Sequence, residues 1–311
     1  MNTPLISVII PCYFNEGNIP VTSQTLLDHE YLLAGKATFE YILIDDGSGD
    51  GTWDKLCDFK IHFPDKVKII RFARNFGSTN ATYAGMAEAT GDCTIIISAD
   101  LQDPVELFSK MFDYWKAGIK LVIANREARE EPLWQKGISS FSHWMIRKFA
   151  LKNLPKGGFD FVLFDKEIRE HILQIQDKNS FLPYLLIWLG YDYITIPYVR
   201  KKRMIGKSSY TLGKKIKSLV DSFVAFSFFP IRLISISGLL LGLGAIGYAV
   251  LILIGKISGW IHIDGWTSMM VILLFVSSFQ MIGIGILGEY IWRTLDASRR
   301  RPNYVITEKR L

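Results

Sequence analysis

Residues 95–104 read Ile-Ile-Ile-Ser-Ala-Asp-Leu-Gln-Asp-Pro, an apolar run that ends abruptly in two carboxylates and an amide. The run predicts a buried β-strand, and in an open α/β sheet ligands bind just beyond the carboxyl ends of the strands. Asp100 and Gln102 stand two residues apart, so on an extended segment both side chains can reach one Mg²⁺ or Mn²⁺ ion. Asp103 and Pro104 suit the start of the following helix. Alternatively, Asp103 only caps that helix and Asp100 merely ends a strand.

The flanking sequence predicts an α/β fold around this strand. Short β-rich runs alternate with amphipathic or polar stretches; the runs lie at residues 5–11, 39–45, 67–72, 93–98 and 121–124. We therefore expect a mainly parallel, doubly wound sheet. No Gly-x-Gly-x-x-Gly follows the first run, which disfavours a dinucleotide-binding domain, and Gly206-Lys207-Ser208 lacks the upstream glycine of a P-loop.

Two long uncharged stretches predict a membrane anchor. Residues 233–254 and 266–286 contain no Asp, Glu, Lys or Arg, and each matches the roughly 20 residues that span a bilayer. Basic residues precede the first stretch and follow the second, whereas the loop between the two stretches contains only two charged residues, Lys256 and Asp264. The positive-inside rule therefore predicts that both termini and the soluble domain face the cytoplasm. A pair of buried core helices is the alternative, although core helices rarely stay uncharged over this length.

We expect four parts in the chain. They are a cytosolic α/β domain over residues 1–210, an interfacial amphipathic helix over 211–230, two transmembrane helices within 231–292, and a basic cytosolic tail over 293–311. The net charge of +6 fits a surface that faces anionic lipid, and two spans make nucleic acid an unfavoured partner. The three cysteines are isolated, which predicts reduced thiols without a disulfide or zinc site.

Polar residues also follow the first three predicted strands. Residues 11–16 read Pro-Cys-Tyr-Phe-Asn-Glu, residues 45–48 read Asp-Asp-Gly-Ser, and residues 74–77 read Arg-Asn-Phe-Gly. Carboxylates at strand ends can accept hydrogen bonds from a base or ribose, and Arg74 can face a phosphate. Ordinary loops with a helix cap and a solvated arginine are the alternative.

In this order, the motifs resemble those of the family 2 glycosyltransferases. With its two C-terminal apolar stretches, the whole chain is similar to the membrane-anchored polyprenyl-phosphate sugar transferases of the bactoprenol glucosyltransferase and dolichol-phosphate mannose synthase type. The resemblance implies a GT-A fold, a nucleotide-diphosphate sugar donor, Mg²⁺ or Mn²⁺, and inverting transfer of a hexosyl group to polyprenyl phosphate. It favours UDP-glucose and undecaprenyl phosphate at the cytoplasmic face of the inner membrane; mannose, galactose and N-acetylhexosamine remain alternatives.

The resemblance also assigns donor-site roles by position. The implied nucleotide-binding residues are Pro11, Tyr13, Glu16, Asp46, Arg74 and Gly77. Asp100 and Gln102 would hold the metal, and Asp100 is thereby a catalytic residue. Relatives carry Asp-x-Asp here, whereas this chain has Ser98 in place of the first carboxylate. Three alternatives follow: weaker metal affinity, assistance from Asp103, or a non-catalytic membrane scaffold that keeps the nucleotide pocket.

Two basic segments, residues 125–129 and 200–210, predict a site for the acceptor phosphate. The candidates are Arg126, Arg129, Arg200, Arg203, Lys207 and Ser208. The second segment resembles the acceptor-binding loop of relatives; a solvated linker or a general membrane-charge patch is the alternative.

Asp160 is the candidate catalytic base or orienting group, because it matches an acidic residue that relatives use near the anomeric carbon. A phosphate monoester is already largely a dianion at pH 7, so we expect an orienting role. A homo-oligomer is a further expectation, because relatives assemble and Gly238-x-x-x-Gly242 permits close helix packing. Packing of the two spans within one chain explains the same spacing.

Overall fold

The computed structural model describes residues 3–126, 144–155, 159–175, 181–200, 227, 229–258, 265–299 and 301–311. The chain divides into two compact units, Met1–Ser222 with Pro302–Leu311, and Phe223–Arg301. The predicted interfacial helix at 211–230 lies almost wholly outside the described residues. The expected domain boundary at residue 210 lies outside them as well, so both stay predictions.

Within the described residues, the first unit has one eight-stranded sheet. Its strands are β1 (Leu5–Cys12), β2 (Thr38–Asp45), β3 (Val67–Phe72), β4 (Cys93–Ile96), β5 (Leu121–Arg126), β6 (Phe161–Asp165), β7 (Tyr193–Tyr198) and β8 (Ile306–Arg310). The spatial order is β7-β5-β6-β4-β1-β2-β3-β8. Only β6 and β8 run against the other six described strands. The expected mainly parallel sheet is therefore confirmed, and all five β-rich runs form strands.

Helices cover both faces of this sheet. They are α1 (Ile19–His29), α2 (Thr52–His62), α3 (Ser78–Glu88), α4 (Leu107–Lys116), α5 (Lys166–Gln174) and α6 (Leu182–Trp188), with a 3-10 turn at Glu30–Leu33. Alternate residues of β1, such as Val8 and Ile10, pack with α1, α2 and α4 in the main core. Ile9 points to the opposite face and meets α3 at Gly85, where a Cβ would lie 2.5 Å from the Ile9 Cγ2 atom. Glycine there allows α3 to lie close to the sheet.

The C-terminal residues return to the first unit as β8, which pairs antiparallel with β3. Tyr304 stacks on Phe72 with 5.0 Å between ring centroids, and Lys309 lies 2.6 Å from Glu88. This corrects the expected basic tail at 293–311. Residues 306–310 read Ile-Thr-Glu-Lys-Arg, a polar run without apolar alternation, so their strand arises from backbone pairing with β3 and could not be read from hydrophobicity.

The second unit contains α7 (Phe229–Ile257) and α8 (Trp266–Ser298). Among the described residues, one segment is long and apolar enough to cross a membrane: the 18 residues Ile231–Tyr248 of α7, none of them buried. The second expected span therefore stays a prediction. Gly283 of α8 faces Ile234 of α7, with 3.5 Å from its Cβ position to Ile234 Cγ2. Gly238 and Gly242 have no such neighbour within 4 Å in the described part, so the oligomer also stays a prediction.

Candidate active site

The parallel strands of the first unit all end at one side of the sheet, which we call the carboxyl end. β6 runs the other way, so the residues just before it, including Asp160, also lie at this end. The structure thus places the predicted donor motifs and the Arg126–Asp160 region on one side of the sheet. That side is where open α/β sheets bind their ligands.

The turn after β4 is built around the Ser98 hydroxyl. Its oxygen lies 2.8 Å from Oδ1 of Asp100 and 3.0 Å from Oδ2 of Asp103. Both carboxylates are buried, with 9% of Asp100 and 1% of Asp103 exposed. Because a hydroxyl carries a single proton, Ser98 can donate to only one of the two carboxylates at a time.

Two details of this turn differ from the sequence expectation. The segment is not extended, because Leu101 adopts a left-handed conformation with φ of 50° and the backbone N–H of Gln102 comes within 3.3 Å of Asp100 Oδ1. Asp103 is not the cap of the next helix either. α4 begins at Leu107, and the Asp103 carboxylate faces the strand ends instead. A turn therefore brings Asp100 and Gln102 together, where an extended strand was predicted.

Asp103 is joined to β7 and β5 through Tyr198. The Tyr198 hydroxyl donates to Asp103 Oδ1 at 2.5 Å, and Arg126 Nε donates to the Tyr198 oxygen at 3.3 Å. Arg200 Nε adds a cation 3.6 Å from the same Asp103 oxygen. Burial raises the pKa of Tyr198, as does the neighbouring Asp103 charge, so the phenol stays protonated and acts as the donor to Asp103.

Arg126 also forms an ion pair with Asp160. The arginine side chain is 8% exposed, whereas the aspartate side chain is 54% exposed. Burial acts to lower the pKa of Arg126, but the Asp160 charge and the Tyr198 contact outweigh it and raise the pKa. The site thus combines a buried, permanently charged guanidinium with a solvent-accessible carboxylate.

The loops after β2 and β3 meet at Asp46. Its two carboxylate oxygens accept the backbone N–H groups of Phe76 at 2.7 Å and Gly77 at 2.9 Å. Burial raises the pKa of Asp46 to about 6, although these amide hydrogen bonds act to lower it. Gly47 must be glycine, because φ is 68° and a Cβ would lie 2.4 Å from the Arg74 carbonyl carbon.

The loop after β1 is held against the loop after β2. The Phe14 N–H donates to the Ser48 hydroxyl at 3.0 Å, and the Gly51 N–H donates to Glu16 Oε2 at 3.1 Å. Tyr13 and Phe14 remain exposed and contact each other edge to face, with 4.7 Å between ring centroids. These hydrogen bonds hold the two loops together and leave the Tyr13 and Phe14 rings accessible. An accessible aromatic surface suits stacking by a base.

The predicted site residues fall into three groups. Near the first three strand ends lie Pro11, Tyr13, Glu16, Asp46, Arg74 and Gly77. Near β4 to β7 lie Asp100, Gln102, Arg126, Asp160 and Arg200. Outside the described residues lie Arg129, Arg203, Lys207 and Ser208. Arg74 is exposed with its guanidinium 4.2 Å from the centroid of the Phe76 ring, so it borders the Asp46 loop without pairing closely to the carboxylate.

Sequence reasoning missed Tyr198 entirely. It ends a strand of sequence Tyr-Ile-Thr-Ile-Pro-Tyr, whose aromatic and β-branched residues are typical of any strand. From sequence, Ser98 is interpreted as a missing carboxylate whose hydroxyl could still orient a ribose or a metal-bound water. The structure instead makes Ser98 the hydroxyl donor that two buried carboxylates share.

Residues 7–168 match the family model described as Glycosyl transferase family 2. The chain belongs to glycosyl transferase family 2. It is 33% identical to an uncharacterized glycosyltransferase, YkcC, of Bacillus subtilis, over 96% of this chain and 92% of the relative. It is 31% identical to the bactoprenol glucosyl transferase of Shigella phage SfX, over 98% of this chain and 99% of the relative.

Among solved structures, this glycosyl transferase aligns with a mannosyltransferase from Pyrobaculum calidifontis in complex with GDP-Man and Mn²⁺. The alignment covers 72% of this chain and 64% of the other, with 18% identity and a TM-score of 0.48.

Proposed function

We propose that this glycosyl transferase moves a hexosyl group, glucose in the first instance, from a nucleotide-diphosphate sugar to polyprenyl phosphate at the cytoplasmic face of the membrane. Similarity over nearly the full chain to a bactoprenol glucosyl transferase supports the acceptor and the sugar. The observation that carries the proposal is the hydrogen-bonded connection between the Ser98–Asp103 turn and the Arg126–Asp160 pair. It joins a donor-binding turn to a phosphate-binding cation within one site.

The donor would lie across the ends of the first four strands. A uracil base can stack on the Tyr13 and Phe14 surface and donate its ring N–H to the Asp46 carboxylate. Arg74 is exposed beside this loop and can meet the diphosphate charge. UDP is the proposed nucleotide because the motif resemblance favours it, and the choice of glucose rests on the similarity to a bactoprenol glucosyl transferase.

The oxygen-rich turn after β4 fits a hard divalent cation. Among the described residues, no group of three or more His, Cys, Asp or Glu side chains is arranged to hold a metal. Asp100 and Gln102 would therefore hold Mg²⁺ or Mn²⁺ together with oxygens of the donor diphosphate. When bound, the ion supplies charge neutralisation for the departing nucleotide diphosphate.

The acceptor side is assigned to Arg126, with Arg200 next to it. Arg126 would bind the lipid phosphate and hold one of its oxygens in line with the anomeric carbon. Asp160, which is exposed and ion-paired to Arg126, would orient that cation and the sugar hydroxyls. One displacement forms the bond to the phosphate oxygen as the bond to the diphosphate breaks, which inverts the anomeric configuration.

A non-catalytic scaffold was the alternative that Ser98 suggested. The hydroxyl occupies a defined position between Asp100 and Asp103, so it replaces the missing carboxylate with a hydrogen-bond donor. This arrangement favours a working site. α7 is long and apolar enough to anchor the site at the membrane where polyprenyl phosphate is found, and the second span in α8 belongs to the same proposal.

The test uses detergent-solubilised full-length protein, undecaprenyl phosphate, Mn²⁺ and a panel of radiolabelled UDP- and GDP-sugars. We expect label from UDP-glucose to enter the lipid fraction, and Asp100→Asn to reduce that rate by on the order of 10²–10³-fold because it removes the charged metal ligand. A Lys55→Gln variant is the control, since Lys55 lies in α2 and its side chain forms an exposed ion pair with Asp58. Absence of lipid label from every donor would overturn the proposal.

A further inference from the structure

We infer that Tyr198 is a positioning residue that fixes the acceptor cation Arg126 relative to the donor-binding turn. The inference rests on the proposed function, because Tyr198 would set the position of the proposed acceptor site relative to the proposed donor site. The observation behind it is that the Tyr198 hydroxyl forms hydrogen bonds with both Arg126 and Asp103. In this inference Tyr198 acts through Arg126 and Asp103.

The direction of the two hydrogen bonds is fixed by chemistry. Arg126 is only a donor, so the Tyr198 oxygen must accept from its Nε atom at 3.3 Å. The single phenol proton is then free to point to the Asp103 carboxylate at 2.5 Å. The resulting order, Arg126 to Tyr198 to Asp103, has no reversed form, so each member holds the next in one orientation.

The surroundings make Tyr198 rigid. The side chain is buried, and its ring meets Phe161 at the start of β6 with 6.1 Å between centroids and an interplanar angle of 85°. Phe161 follows Asp160 directly in the chain, so the same contact packs β7 against the segment that carries the candidate orienting carboxylate. A buried ring with a bonded hydroxyl has little freedom to move, and it transmits its position to both partners.

Removal of the hydroxyl has a specific consequence. Arg126 would keep its ion pair with Asp160 but lose the acceptor for Nε, and Asp103 would keep Ser98 and the more distant Arg200. The cation could then swing with the exposed Asp160. Small displacements of a reacting group cost on the order of 10²-fold in rate, so the loss should fall on turnover and not on donor binding.

Tyr193 provides a matched control on the same strand. Its hydroxyl also forms one hydrogen bond, at 2.5 Å to the Asn153 carbonyl, but it lies at the other end of β7. Tyr193→Phe therefore deletes the same atom from the same element without touching Arg126 or Asp103. It reports the general cost of losing a phenol hydroxyl from β7.

The experiment compares wild type, Tyr198→Phe and Tyr193→Phe as full-length proteins in detergent, with thermal unfolding as a check on folding. We expect Tyr198→Phe to lower kcat for transfer to undecaprenyl phosphate on the order of 10–100-fold, with the donor KM unchanged within about twofold. Tyr193→Phe should keep kcat within about twofold. If Tyr198→Phe does not accumulate, Arg126→Lys keeps a cation at this position but has no Nε atom to donate to Tyr198, and it should show the same loss of kcat at constant donor KM.

The outcomes separate the two proposals. An inactive wild type overturns the proposed function, and this inference with it. An active wild type with an unchanged kcat in Tyr198→Phe overturns the inference alone. A kcat loss that is equal in Tyr198→Phe and Tyr193→Phe also overturns it, because the effect would then come from β7 stability in general.

Discussion

Both ends of the central sheet contain buried carboxylates, but the hydrogen-bond donors around these carboxylates differ between the two ends. At the amino end, Glu40 accepts hydrogen bonds from the hydroxyl of Ser7 at 2.6 Å, from Lys68 at 2.7 Å, and from the N–H groups of Thr90 at 2.6 Å and Gly91 at 3.0 Å. At the carboxyl end, Asp100 and Asp103 share one hydroxyl proton from Ser98. One sheet thus contains a single carboxylate with a charged donor and several neutral ones, and a pair of adjacent carboxylates that share the Ser98 hydroxyl, with Tyr198 as a second donor to Asp103.

The pKa values of Glu40 and of Asp46, another buried carboxylate at the carboxyl end, shift in opposite directions. Burial acts to raise the pKa of Glu40, but the bonds from Lys68, Ser7 and Thr90 outweigh it and the pKa is lowered. For Asp46, burial outweighs the two amide hydrogen bonds, and its pKa is raised to about 6. The ionised form of Glu40 therefore stabilises the folded state, whereas the raised pKa of Asp46 marks this carboxylate as a candidate functional group.

The largest effect on stability should come from neutralising Glu40, the buried carboxylate at the amino end of the sheet. Glu40→Gln leaves the partly buried Lys68 ammonium without its counter-charge and weakens the hydrogen bonds that the buried carboxylate accepts, which together cost about 3 kcal/mol of unfolding free energy. The folded fraction should keep its kcat, since no donor or acceptor residue is touched. Urea denaturation measures the loss; Asp58→Asn, which removes only an exposed pair with Lys55, should cost less than about 1 kcal/mol. Equal losses in the two variants would contradict the distinction between the two ends.

A second effect concerns pH. If an ionised Asp46 accepts the base N–H, affinity for UDP-glucose should fall about tenfold between pH 7 and pH 5, because the carboxyl is mostly protonated one pH unit below a pKa of about 6. UDP-glucose suits the test because its diphosphate is a diester without an ionisation near pH 6. Calorimetry at both pH values measures the ratio, and Asp46→Asn should bind weakly at both. A constant affinity in the wild type would remove Asp46 from the nucleotide site.

The pKa shifts of Asp46 and Glu40 predict opposite pH dependences for their contributions to the free energy of unfolding. The raised pKa of Asp46 means that the folded state binds more protons than the unfolded state, so its contribution to stability falls as pH rises toward 6. The lowered pKa of Glu40 gives a contribution that is present above its unfolded pKa and is lost only as pH falls through the folded value. Between pH 5 and 7 the slope should therefore come from Asp46 and disappear in Asp46→Asn.

The smallest effect should come from adding a charge at the carboxyl end. Ser98→Asp places a third carboxylate beside Asp100 and Asp103, so the metal-free protein should lose about 1–3 kcal/mol of stability. Mn²⁺ should bind severalfold more tightly to this variant in the presence of UDP, since another charged oxygen faces the ion. Ser98→Ala is the matched control: it removes the shared hydroxyl without adding charge, and it should be destabilised without tighter metal binding. Unchanged affinity in Ser98→Asp would place the metal elsewhere.

The sequence predicted the elements that follow from hydrophobic periodicity and missed those that follow from tertiary pairing. Five apolar runs located β1 to β5, because their buried side chains dominate the pattern. β8 is polar and forms only because the chain end returns to β3. Strand-end positions likewise located Asp46 and Asp100 on one side of the sheet, whereas Arg126 was selected from a basic segment and Asp160 from the family resemblance.

The finer geometry of the site could not be predicted. A left-handed Leu101 has no sequence signature, and it converts an expected strand extension into a turn. Asp103 followed by proline resembles a helix cap, yet its carboxylate bonds to Ser98 and to Tyr198, which lies 95 residues away in sequence. Long-range hydrogen bonds of this kind depend on strand order, which local patterns do not specify.

The most direct test of the account is calorimetry of UDP-glucose binding to the full-length protein in detergent, with and without Mn²⁺, for wild type, Asp100→Asn and Glu40→Gln. We expect Mn²⁺ to strengthen binding to wild type and to folded Glu40→Gln by at least about tenfold, and to have no effect on Asp100→Asn. The opposite pattern, with Mn²⁺-dependent binding retained in Asp100→Asn or lost in folded Glu40→Gln, would contradict the assignment of donor chemistry to the carboxyl end of the sheet.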